Sequence, residues 1–246
     1  MLKNNRIPWY YIWSDKYEIF HTIFQDISSR IYPVLREEFA IRPLFIEQSE
    51  FQKKLSTNTQ EHPFSGCNLK IDALIKCIEE NIGTSFLFTD IDIIIRQPTI
   101  KHMLKPFQNY DMTFMTEELN TQLANIGFCY INANSNTLKF WKQVQEIVTK
   151  DNAHDQTVVN ELLKETDLKV GFFSEKDIIS QKTCTPNADF KIVQILSSGN
   201  NTSHWQLIEK LYTLPIFVNL NPYRYLISEE QRHDIKQFEE KVNSEV

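Results

Sequence analysis

Apolar and polar positions along the chain follow two rhythms. Ile7-Pro8-Trp9-Tyr10-Tyr11-Ile12-Trp13 is a run of aromatic and β-branched residues and predicts a buried strand. Ile19, Phe20, Ile23, Phe24, Ile27 and Ile31 then recur at helical spacing and make one apolar face. Ile41 to Ile46 predicts a second strand despite Pro43, and residues from about Leu69 to Ile82 a helix that Gly83 stops, with Leu74, Ile75 and Ile78 inward. Ser85 to Ile95 predicts one buried strand carrying two acids, and Met112–Met115 and Ile126–Ile131 two more strands. Leu138–Val148 and Thr157–Leu163 predict helices, and Val170–Phe173 and Ile192–Leu196 strands. Ser228 and Gln231 have the spacing of a capping box opening a last helix to about Lys241.

Strands alternating with helices imply an α/β fold, a mostly parallel central sheet flanked by helices on both faces. Such sheets bind ligands beyond the carboxyl ends of their strands. With no repeat, low-complexity tract or Gly/Ser linker, the expectation is one domain over residues 1–246.

Composition changes this picture in a few places. The formal net charge of −6, without a basic cluster, argues against a protein that grips nucleic acid by its phosphates. No apolar run approaches the roughly 18 residues that a membrane span needs. The N-terminus has no apolar segment of the kind that directs secretion, so the expected setting is the cytosol. The four cysteines form no CxxC pair and read as reduced, buried thiols. The five glycines are all isolated, which excludes a P-loop or a Rossmann fingerprint. A bound nucleotide would need a metal ion or basic side chains for its phosphates.

The sharpest chemical feature is Asp90-Ile91-Asp92. In an extended chain, residues two apart point the same way, so both carboxylates are expected to leave one face. Two hard oxygen ligands side by side suit Mg²⁺ or Mn²⁺. Burying two acids among Phe and Ile is expensive without a cation or partner. The plainer alternative is a solvated strand end.

Phe86-Leu87-Phe88-Thr89-Asp90-Ile91-Asp92-Ile93 resembles the metal-binding strand of GT-A glycosyltransferases, the nucleotide-diphospho-sugar transferases. Within them it resembles the retaining branch that holds plant xylosyl- and arabinosyl-type enzymes and the glycogenin-like group. Asn125-Ile126-Gly127-Phe128-Cys129-Tyr130 resembles that family's NxG strand, and His154-Asp155-Gln156 with Asn160 its acid–Gln helix start. His204 and Lys210 have the group's H-x5-K spacing. The chain departs from the pattern in lacking a glycine shortly after that His and in carrying Leu211 where Pro is usual.

The resemblance implies a single GT-A-like domain. Residues to about 115 would hold the nucleotide, and residues 116–246 the sugar, the acceptor and a C-terminal helix. It implies a metal-dependent transferase moving a sugar from a UDP-sugar donor to a glycan or protein acceptor, with retention. Asp90, Asp92 and His204 would bind Mn²⁺ or Mg²⁺. Trp13 and Ser14 would meet the nucleoside, Lys70 and Lys210 the diphosphate, Asp90 also the ribose, and Asn125 and Gly127 the sugar. Asp155 and Gln156 would act at the anomeric carbon, Asp155 as nucleophile or as a charge that stabilises same-face attack. The absence of an anchor points to a cytosolic enzyme of a bacterium or virus.

Plain structural roles remain open for several of these residues: core packing for Trp13 and His204, an exposed helix lysine for Lys70, a helix cap for Asp155. Two other functions fit the aspartate pair, a metal-dependent nucleotidyltransferase or phosphohydrolase and an inactive sugar-nucleotide-binding module.

Overall fold

The computed structural model describes residues 6–47, 67–118, 120–180, 189–197 and 203–244. The central sheet has six strands, β1 (Ile7–Trp13), β2 (Phe39–Phe45), β3 (Ser85–Asp90), β5 (Met112–Thr116), β6 (Ala124–Asn132) and β7 (Val170–Phe172), in the order β2-β1-β3-β6-β5-β7. β1 runs parallel to β2 and β3, and β5 parallel to β7, whereas β6 is antiparallel to both neighbours. A second sheet of three strands, β4 (Ile93–Ile95), β9 (Ile192–Gln194) and β8 (Ile178–Ser180), sits under one face.

Period-two alternation decides which side chains go where. Trp9, Tyr11 and Leu87 enter the core shared with the second sheet, while Tyr10, Phe86 and Phe88 enter the opposite one. On the first side lies α1 (Glu18–Asp26), burying Phe20, Ile23 and Phe24. On the other lie α3 (Cys67–Glu80), α5 (Ser135–Asp151) and α6 (Asp155–Leu162), contributing Ile71, Leu74, Ile78, Trp141, Val144 and Val158. Trp9 ties the strands together: its ring meets Phe24 edge-on at 5.3 Å, and its Nε1 donates to Thr89 Oγ1 at 3.1 Å. Burying each such side chain contributes about 1.5–3 kcal/mol.

The remaining helices are α2 (Val34–Glu38), α4 (Ile100–Leu104), α7 (Ser203–Thr213) and α8 (Glu229–Ser244). Gly83 closes the turn after α3 at φ +85°, and the Ser228–Gln231 capping box opens α8, with Ser228 Oγ accepting from the Gln231 N–H at 3.1 Å. Cys77 and Cys129 are buried free thiols; Cys184 and the side chain of Cys67 lie outside the described residues. Among the described residues, no helix is long and apolar enough to cross a membrane.

Two expectations need correction. Ser85 to Ile95 is not one strand: the chain leaves the central sheet after Asp90, and the Ile195 N–H, 2.8 Å from the Asp92 carbonyl, draws Ile93–Ile95 into the second sheet. Ile31 is not part of a buried face but 46% exposed, because the chain widens into a π-helical turn over Ile27–Ile31 and the 3.6-residue rhythm slips.

Candidate active site

The carboxyl ends of β1 and β3 and the start of β6 meet at one place. Ile12 is opposite Asp90 in the parallel ladder, and Phe128 is opposite Thr89 in the antiparallel one, so Gly127 lies just beyond Asp90. Asp90 is partly open to solvent and bound by Lys70 from the first turn of α3, with Nζ at 2.7 Å from Oδ1 and 2.9 Å from Oδ2. Asp92 is buried and bound by Lys210, which reaches across from α7. Gln194 from β9 donates Nε2 to Asp92 Oδ1 at 3.3 Å. The Lys210 ammonium also lies 5.4 Å from the centre of the Tyr17 ring.

Each carboxylate of the pair therefore has its own cation, half-buried at Lys70 and buried at Lys210. Burial alone would push both lysines towards neutrality, but the carboxylates outweigh it and hold Lys70 and Lys210 above the ordinary lysine range. Burial pushes the Asp90 carboxyl up, Lys70 opposes this, and the neighbouring charge of Asp92 adds to it. Lys16 is lowered to about 8 by burial and by the like charge of Lys210.

The residues expected to face the sugar form a second cluster built on β6. Asn125 is buried, accepts the Gly127 N–H at 2.7 Å through Oδ1, and donates Nδ2 to Glu117 Oε2 at 2.5 Å. This local side-chain turn occupies the place where the β5–β6 register slips, between Phe114 and Met115. Asp155 is buried in the first turn of α6 and accepts the Gln156 N–H at 2.8 Å. Gln156 Oε1 accepts the Ile126 N–H at 3.4 Å. Asn160, one turn on, accepts the Ala124 N–H at 2.7 Å and donates to the Ala124 carbonyl at 2.9 Å. The charge of Asp155 is felt at Lys70 and at the Cys129 thiol, as is that of Asp90. The Gln194 amide, bonded to Asp92 and packed against Gly127, joins the two clusters.

Trp13 and Ser14 end β1 beside this site. Ser14 is buried, and the Trp13 ring stacks on His21 at 3.8 Å with 18° between planes, its Nε1 buried without a hydrogen-bond partner among the described residues. His204 is not brought to the aspartates: its Nε2 lies 2.9 Å from Asp234 Oδ2 on α8. Among the described residues, no group of three or more His, Cys, Asp and Glu side chains is placed to hold a metal. Gln194, which no motif marked, is brought in instead. The signal was available as a lone polar side chain inside the apolar run Ile192-Val193-Gln194-Ile195.

The sequence signature described as nucleotide-diphospho-sugar transferase matches residues 49–214, more than half of the chain and the part that holds both clusters. The chain belongs to the nucleotide-diphospho-sugar transferase family.

Among solved structures, the transferase is similar to a glycosyltransferase involved in the glycosylation of the major capsid of PBCV-1, at 13% identity and a TM-score of 0.54, covering 78% of this chain and 95% of that one. It is also similar to the galactosyltransferase LgtC in complex with donor and acceptor sugar analogues, at 12% identity and a TM-score of 0.50, covering 89% of this chain and 100% of that one. At such identities the likeness is one of fold, and the fold of the transferase is GT-A-like. No curated protein sequence matches it.

Proposed function

We propose that this transferase moves a glycosyl unit from a UDP-sugar to a hydroxyl of a glycan or protein acceptor, with retention, using Mg²⁺ or Mn²⁺ held at Asp90 and Asp92. The observation that supports this best is the pairing of two neighbouring carboxylates at the end of β3 with two lysines, one half-buried and one buried, from α3 and α7. The donor set suits a hard cation: carboxylate oxygens and a neighbouring amide, with coordination positions left for phosphate and water.

When bound, a divalent cation supplies charge neutralisation for the departing diphosphate. Lys70 and Lys210 can turn from their carboxylates to phosphate oxygens while still charged. Gly127 lets the Gln194 amide sit against β6 at the edge that would meet the sugar, with Asn125 and Gln156 bracing that edge. The buried charge of Asp155 stabilises positive charge growing at the anomeric carbon. The bond from that carbon to the diphosphate oxygen breaks, the bond to the acceptor oxygen forms, and the acceptor proton passes to the departing diphosphate. Trp13 and Ser14 flank the nucleoside, and residues 1–246 act as one catalytic domain.

Thermal unfolding tests the proposal. UDP with Mn²⁺ is expected to raise the melting temperature, whereas UDP with EDTA, GDP with Mn²⁺, and the Asp92→Asn variant with UDP and Mn²⁺ are not. Ligand at about 100 times its dissociation constant adds roughly 2.7 kcal/mol of stability. No shift with UDP and Mn²⁺ would overturn the assignment of donor and metal.

A further inference from the structure

Gln194 is 2% exposed and stands opposite Ile93 in the β4–β9 ladder, one position from Asp92. Its Nε2 faces Asp92 Oδ1, and its Oε1 is buried without a hydrogen-bond partner among the described residues. Leaving a buried acceptor unpaired is costly, so a glutamine in an otherwise apolar three-residue strand calls for a use. Its surroundings narrow that use. The carboxamide is wedged against Gly127, where a Cβ would approach Nε2 to 2.1 Å, so it is held at the meeting point of the carboxylate pair and the sugar-side strand.

An amide oxygen is a hard, neutral donor of the kind that Mg²⁺, Mn²⁺ and Ca²⁺ accept. The terminal amide torsion is broad and roughly two-fold, so a half-turn exchanges nitrogen for oxygen at little cost. With nitrogen towards Asp92 the amide satisfies the bare carboxylate, and with oxygen towards it the amide and carboxylate together attract a cation. We infer that Gln194 is the third protein ligand of the divalent cation, contributing Oε1 beside Asp90 and Asp92.

This rests on the metal-dependent reading proposed above and adds a selectivity to it. The protein ligands are then all oxygen, with His204 engaged by Asp234. Such a set favours Mg²⁺ and Mn²⁺ over Zn²⁺ and Co²⁺, which imidazole would draw in.

The test is direct Mn²⁺ binding in the presence of UDP, read from the loss of the free-ion electron paramagnetic resonance signal. Gln194→Leu, close in volume, is expected to weaken Mn²⁺ at least about tenfold, the lower bound seen when even an outer partner of a metal ligand is removed. Gln194→Glu is expected to bind Mn²⁺ more tightly than wild type. Gln194→His is expected to gain Co²⁺ affinity, visible as a d–d absorption band. Absence of Mn²⁺ binding by the wild type, or undiminished binding by Asp92→Asn, would overturn the metal reading and this inference together. Wild-type affinity in Gln194→Leu, with Asp92→Asn still inactive in binding, would overturn the inference alone. Should Gln194→Leu not fold, unchanged affinity and metal preference in the Glu and His variants would overturn it equally.

Discussion

Gly127 and Gln194 exclude one another from the same space. A Cβ on Gly127 would lie 2.1 Å from Gln194 Nε2 and 2.9 Å from Asn125 Oδ1. The NxG glycine is therefore required here by a side chain 67 positions further on (194 − 127), as well as by any sugar. Gly127→Ala is expected to push the Gln194 amide off Asp92, destabilising the fold by about 1–3 kcal/mol as overpacking does. It should also weaken UDP binding in the presence of Mn²⁺. Urea unfolding and a UDP titration check both, and a variant as stable as wild type would show that the amide moves aside freely.

The buried pair of Lys210 and Asp92 gives a second prediction. Lys210→Met keeps the bulk of the side chain but leaves the Asp92 carboxylate, among the described residues, with the Gln194 amide as its side-chain hydrogen-bond partner. Removing one partner of a buried pair costs roughly 3–5 kcal/mol, whereas neutralising both costs much less. The double variant Lys210→Met/Asp92→Asn should therefore be more stable than Lys210→Met alone. Additive effects in the double-mutant cycle would mean that the two groups do not depend on each other.

Under the proposed function, Asp155 would separate chemistry from binding. It contacts neither aspartate of the pair, its hydrogen bond going to the Gln156 N–H. Asp155→Asn should leave the UDP-induced rise in melting temperature in place and slow glycosyl transfer by about 10²-fold or more, the scale of lost transition-state stabilisation. Rates measured with a turned-over UDP-sugar donor check this. Loss of nucleotide binding with activity would instead make Asp155 a donor-site residue.

Acid titration probes the tie between the two ends of the chain. Asp26 accepts two hydrogen bonds from Arg30, at 2.7 and 2.6 Å, and one from Tyr223. Arg30, and then Tyr223, hold its carboxyl down at about 2 against the usual 3.8. Because the folded value lies below the unfolded one, its contribution is fully present above about pH 4 and is lost as pH falls through about 2. The stability gap between wild type and Asp26→Asn should hold from neutral pH to about 4 and close below it. The gap is expected to be small, since Arg30 is exposed and such pairs are screened. A gap that persists at pH 2 would place the effect outside this carboxylate.

Most of the fold could be read from the chain because its signals are local. The aromatic run of β1, the apolar face of α1 and the stop at Gly83 each depend on residues within a few positions. Asp90 and Asp92 showed in their spacing, and Asn125, Gly127 and Asp155 in the resemblance to the transferase motifs; the structure brings these residues near one another. What escaped was non-local. The strand break after Asp90 is imposed by a hydrogen bond from Ile195, and Gln194 meets Asp92 only because a three-residue strand too short to show any period docks there. His204 carried a plausible spacing, but α7 faces it towards α8 and Asp234.

The double hydrogen bond of Asn160 to Ala124 has a mechanical consequence. By answering both the N–H and the carbonyl of that residue, the side chain acts as one rung of an extra strand laid along β6. The helix that carries Asp155 and the strand that carries Gly127 are thereby locked into a single stiff wall. Under the proposed function, adjustment to donors of different size would fall to the long, jointed stems of Lys70 and Lys210, while the wall proposed to hold the sugar would stay fixed.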